Sequence, residues 1–150
     1  MTFLEQTHRR KFEMELTLLD RSNYLKGLLV VAKKDNQLTD PEKIILKGIA
    51  KRLGFATDFY EDTIRSLLTN KYISEKPIKF SNKKIAESFV SDGLNLAFSD
   101  QLPAEKEIDW LRSTASVNDL NDEWFNQKIK NIKETLKTNP SNNFALLSII

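Results

Sequence analysis

A self-similarity at a spacing of about 65 residues narrows the folding options of this chain more than any other feature. Sliding the second half onto the first without a gap brings Tyr24-Leu25 onto Phe89-Val90, Leu29 onto Leu94, Val31 onto Leu96 and Ala32 onto Ala97. Farther along, Leu46 meets Leu111, Ala50 meets Ala115, Phe55 meets Leu120 and Ile64 meets Ile129. Apolar matches of this kind follow from any two amphipathic helices slid into register. The polar matches are harder to obtain that way. Asp35, Asp40 and Glu42 fall on Asp100, Glu105 and Glu107, and Asp58-Phe59-Tyr60 falls on Glu123-Trp124-Phe125. The pattern implies one helical unit used twice, over approximately 22–71 and 87–136.

Only four Gly and four Pro punctuate the 150 residues, and the stretches between them repeat apolar side chains at helical steps. The fold class expected is therefore all-α: one helical domain of about seven or eight helices built from two repeated halves. Helices are predicted over about 3–19 and 22–34. A third is opened by Thr39-Asp40-Pro41-Glu42 and stopped by Gly54, and a fourth covers 57–70. A crossover loop is expected at 72–81, with Pro77 and a basic cluster of Lys76, Lys79, Lys83 and Lys84. Ser81 then caps a fifth helix, Pro103 opens a sixth, and Asn121 or Asp122 opens a seventh that ends before Asn139-Pro140. The tail, 139–150, is apolar from Phe144 and expected to pack on the domain or on a partner. Phe59, Trp110, Trp124 and Phe125 fall near apolar neighbours at helical spacing and are expected in the core.

Composition removes several kinds of chemistry. There is no cysteine and a single histidine, His8, so disulfides, thiol catalysis and multi-histidine metal sites are excluded. Lys plus Arg is 23 against 21 for Asp plus Glu, too even a balance for a field that gathers nucleic acid. The longest apolar run, Leu28 to Ala32, falls far short of the roughly 20 residues that span a bilayer, so no membrane insertion and a cytoplasmic location are expected. No phosphate-binding glycine loop, dinucleotide fingerprint, zinc-protease helix or nucleophile elbow is present.

What remains is the acidic turn, Asp-x4-[Asp/Glu]-x-Glu in both copies: Asp35, Asp40 and Glu42, then Asp100, Glu105 and Glu107. Carboxylates in a first helical turn complement the orphan N–H groups and the dipole, so capping alone accounts for four of the six. Asp35 and Asp100 end the preceding helices, where the dipole disfavours them. A second reading makes all six oxygen ligands for Ca²⁺ or Mg²⁺. The paired carboxylates are also the one feature an enzyme, or an enzyme's accessory subunit, could use with a divalent ion.

The residues Ala32-Lys33-Lys34-Asp35, Asp40-Pro41-Glu42 and Leu53-Gly54-Phe55, with Ala97-Phe98-Ser99-Asp100 and Glu105-Lys106-Glu107 in the second half, resemble the tellurite-resistance TerB-like family. The resemblance covers about 22–136. It implies two pseudo-symmetric helical halves, clustered acids that bind metal, and a place in a bacterial stress-response or envelope-linked assembly. Charge adds a polarity: Asp100 to Glu123 holds seven acids against only Lys106 and Arg112, opposite in sign to the crossover. Such polarity suits docking to a partner protein or to another copy of the chain. The function expected is that of a non-enzymatic module that binds a partner protein.

Overall fold

The computed structural model describes residues 16–33, 40–69, 75–100 and 105–138. Six α-helices lie there: α1 Leu18–Lys33, α2 Asp40–Arg52, α3 Thr57–Thr69, α4 Lys83–Ala97, α5 Glu105–Val117 and α6 Asp122–Thr138. A 3-10 turn, Phe98–Asp100, follows α4, and no strand occurs among the described residues. The all-helical class is thus found. The helix expected over 3–19 and the tail fall almost wholly outside the described residues. The boundary expected near residues 19–22 is corrected, because α1 starts at Leu18 and runs straight through Ser22. Thr17 explains the early start: its hydroxyl accepts from the Asp20 amide at 3.0 Å and donates to the Asp20 carboxylate at 2.9 Å.

Packing is organised about α1 and α4, which lie against each other; α2 and α3 pack on α1, while α5 and α6 pack on α4. Tyr24, Leu25, Leu28, Phe89, Val90 and Leu94 are buried at this centre. The crossover between the halves is held by side chains from both sides. Asn118 accepts from the Phe80 amide at 2.9 Å and donates to the Ile78 and Thr114 carbonyls at 2.7 and 2.8 Å. The Trp110 indole donates to the Glu75 carbonyl at 2.7 Å, and the Ser81 amide donates to Asp20 at 3.0 Å. Ser81 is therefore an anchor. Asn82, not Ser81, caps α4, accepting from the Ile85 amide at 3.0 Å.

Local geometry recurs at the 65-residue spacing. Helices begin at 18, 40 and 57, and again at 83, 105 and 122. Thr17 and Asn82 cap α1 and α4. Both α2 and α5 end in the same hydrogen-bonded stop: Phe55 N–H to the Ala50 carbonyl at 3.0 Å, and Leu120 N–H to the Ala115 carbonyl at 2.9 Å. The residue within each stop is left-handed, Gly54 at φ +88° and Asp119 at φ +64°.

Aromatic burial follows the second ring of each acid–aromatic–aromatic triplet. Tyr60 and Phe125 are buried, whereas Phe59 is 52% exposed and Trp124 half-buried. Trp110 lies inside as expected, but the expectation for Phe59 is overturned. Phe59 stacks on Phe55 at 5.2 Å near the surface, because adjacent helical residues point about 100° apart and only one can face the core.

The two left-handed stops give a paired prediction. Gly54→Ala is expected to destabilise the fold by about 1–2 kcal/mol, since a Cβ is strained there. Asp119→Gly is expected to stabilise it by about 0.5–1 kcal/mol, relief of strain exceeding the added chain entropy. Urea unfolding of the two variants beside the parent measures both.

Candidate functional site

The six acids singled out by the sequence do not behave alike. Asp35, and the side chain of Asp100, lie outside what the structure describes. Asp40 and Glu105 begin α2 and α5 and are exposed, and the Asp40 carboxylate stands 4.0 Å from the Lys43 ammonium. Glu42 and Glu107, two residues further on, are buried, at 1% and 3% exposure, and each has an interaction partner. A buried carboxylate in the first turn sits at the positive end of the helix, which favours its charge. Asp40 and Glu42 thus face different surroundings. Among the described residues, no three Asp, Glu, His or Cys side chains are grouped so as to hold a metal ion. The 3-10 turn that ends in Asp100 does touch α2, so the second acidic turn begins against the helix of Asp40 and Glu42.

The other buried acids are structural ties that the sequence did not reveal. The Tyr24 hydroxyl lies 2.8 Å from Ser88 Oγ and donates to Asp92. Both Tyr24 and Asp92 are fully buried, so no solute reaches them. Burial, reinforced by the Asp92 charge, pushes the Tyr24 hydroxyl well above the usual tyrosine range. Asp20 at the start of α1 is also buried. Burial alone would raise its carboxyl, but hydrogen bonds from Ser81 and Thr17 outweigh that and hold it below the ordinary value.

An accessible site lies elsewhere. A surface cleft of about 440 Å³ opens between α2 and α3, lined by Lys43, Ile44, Lys47, Tyr60, Glu61, Ile64 and Arg65. Its construction follows from the helix registers. Ile45, Leu46, Ile49 and Ala50 take the core face of α2, which leaves Ile44 on the outside at 72% exposure. Tyr60 reaches back from α3, its hydroxyl donating to the Lys43 carbonyl at 3.0 Å, and so fixes the distance between the two helices. Burial, with the nearby Glu61 charge, raises this hydroxyl to about 12, so the tie persists at physiological pH. Arg65 carries an ion pair to Asp62 at 3.8 Å. The lining is thus apolar at Ile44 and Ile64 with cations around it.

The positions 65 residues on are built differently. Asp109 is exposed where Ile44 stands, and Ile108 is half-buried where Lys43 stands. Arg112, in the place of Lys47, lies 4.6 Å over the Phe125 ring and 3.2 Å from Asp122. The sequence signal for the cleft is a single isoleucine, Ile44, on the polar side of α2.

No family model matches this chain, and neither a curated protein nor a solved structure matches it. No helix among the described residues is long and apolar enough to cross a membrane.

The lowered Asp20 carboxyl yields a pH prediction. A group whose folded value is depressed stabilises the fold above its unfolded value, ordinarily 3.8, and loses that contribution as pH falls through the folded one. Asp20→Asn is therefore expected to cost about 1–2 kcal/mol at neutral pH. The gap from the parent should narrow as pH falls below the unfolded value, as read by urea unfolding at pH 7 and pH 3.

Proposed function

We propose that this chain is a non-enzymatic, all-helical, TerB-like module of two repeated halves that binds a partner protein through the cleft between α2 and α3. The repeat is supported by helix starts, caps, left-handed stops and the buried Glu42 and Glu107, all recurring at one spacing. Ile44 is the observation that carries the binding reading. It is a large aliphatic side chain, 72% exposed, at the mouth of a cleft with cations on its lining. Its counterpart in the other half is an exposed aspartate, so the helical scaffold itself does not require an apolar residue there. The TerB-like resemblance suggests a stress-response or envelope-linked assembly as the setting.

The test is affinity purification from the native organism with the parent and with Ile44→Glu, partners being identified by mass spectrometry. An exposed substitution of this kind should move stability by no more than about 0.5 kcal/mol. At least one protein retained by the parent should be lost from the variant. Identical sets would overturn the reading.

A divalent cation at the acidic turns is the second reading, favoured by the contact between α2 and the 3-10 turn that ends in Asp100. Ca²⁺ or Mg²⁺ bound only by the folded chain must raise its melting temperature as concentration rises. The expected outcome is a rise over the EDTA-treated parent that Asp35→Asn with Asp100→Asn abolishes. No shift in the parent would leave these acids as helix caps.

A further inference from the structure

Resting on the α2–α3 cleft as a docking site, we infer that its occupant is an acidic amphipathic helix of a partner protein. That helix lies along the outer face of α2 and seats an apolar side chain against Ile44 and Ile64. The first support is a glycine without a packing reason. Gly48 stands in the middle of α2, exposed, and a Cβ built on it would meet nothing within 4 Å among the described residues. Glycine in a helix interior is unfavourable relative to alanine, and nothing among the described residues compensates for it. Gly48 is one turn beyond Ile44, so the two share a face on which bare backbone admits a second helix at close range.

The second support is charge. Lys43, Lys47 and Lys51 are exposed and follow one another at four-residue steps, a basic row beside Ile44. The cleft lining itself holds Lys43, Lys47 and Arg65 against Glu61, with Asp40 4.0 Å from Lys43 and Asp62 3.8 Å from Arg65. An amphipathic helix with carboxylates flanking its apolar stripe matches this arrangement, the apolar anchor supplying affinity and the charges orientation. Exposed Asp40, Glu61 and Asp62 interrupt the positive surface, which favours a shaped acidic helix over an anionic bilayer. In the second half the same face carries Asp109, Ser113 and Ser116 in place of Ile44, Gly48 and Lys51, so the scaffold contains its own control.

The probe is a fluorescein-labelled synthetic helix about 18 residues long, long enough to fold on contact, with leucines along one face and glutamates beside them. A version with lysines for the glutamates, and vesicles of phosphatidylcholine with phosphatidylserine, are the comparisons, all measured against the full chain. The glutamate helix should bind and weaken with added salt, and Ile44→Glu should reduce its affinity at least ~10-fold. Gly48→Ala should raise the melting temperature by about 1–4 °C while weakening binding several-fold, an opposition that damage to the fold cannot produce. Ser113→Ala should leave affinity unchanged. Equal binding of the lysine helix, preference for the vesicles, or affinity unaffected by Gly48→Ala would overturn the inference. Self-association of the chain that Ile44→Glu abolishes would overturn it in favour of a second copy. If the glutamate helix fails while Ile44→Glu still loses a protein in the purification, only the occupant is wrong; if both fail, the docking site falls too.

Discussion

Gly27 allows α1 to approach α4 so closely that a Cβ at that position would come within 2.5 Å of the Phe89 ring. Gly93 does the same for α4 against α5, where a Cβ would come within 2.5 Å of Leu111 Cδ2. Around that approach the Phe89 ring lies 5.3 Å from Tyr24, 5.0 Å from Phe80 and 6.0 Å from Trp110, between ring centres. One ring thus gathers α1, the crossover, α4 and α5. The same proximity carries the Tyr24 hydroxyl to Ser88 and Asp92. A buried carboxylate is tolerated only with hydrogen bonds, so sliding α1 along α4 would cost both packing and polar pairing.

The helical class, the starts of α2 and α6 and the stop at Gly54 were legible because each is written in adjacent residues: Asp40-Pro41-Glu42, Asn121-Asp122 and Leu53-Gly54-Phe55. Errors arose where a distant partner decides. Ser81 is as good a cap as Asn82 on local grounds, and only Asp20, folded against it, recruits its hydroxyl. Phe59 and Tyr60 are both aromatic, and only the way α3 packs on its neighbours decides which of the two faces the core. The acidic turns stood out in the sequence as a pattern, yet burial separates Glu42 from Asp40 in a way no pattern encodes. The cleft was missed for the opposite reason: a single exposed isoleucine is ordinary on any protein surface. It acquires meaning only beside Gly48, the lysine row and the polar counterpart at Asp109.

Helices that start at a common spacing need not present similar surfaces. The core positions agree at the common spacing, as Leu46 with Leu111 and Ala50 with Ala115, all buried. The outer positions diverge, because a solvent-facing residue is not constrained by the packing beneath it. Arg112 lies over Phe125 and beside Asp122, so one half carries its cation on its own surface groups. The other half sets Lys47 at an open cleft.

The anchoring of the crossover also shapes how the chain comes together and comes apart. Its stitches join residues far apart along the chain: Asp20 to Ser81, Trp110 to Glu75, Asn118 to Ile78 and Phe80. Helices of this length are marginal on their own, and the core they need is completed only when those remote partners meet. Loop closure therefore precedes most of the stabilisation, which slows folding relative to a bundle of purely local contacts. In the reverse direction neither half can peel away while the stitches hold. Amides at the centre of the described core are therefore expected to be the last to open to hydrogen exchange.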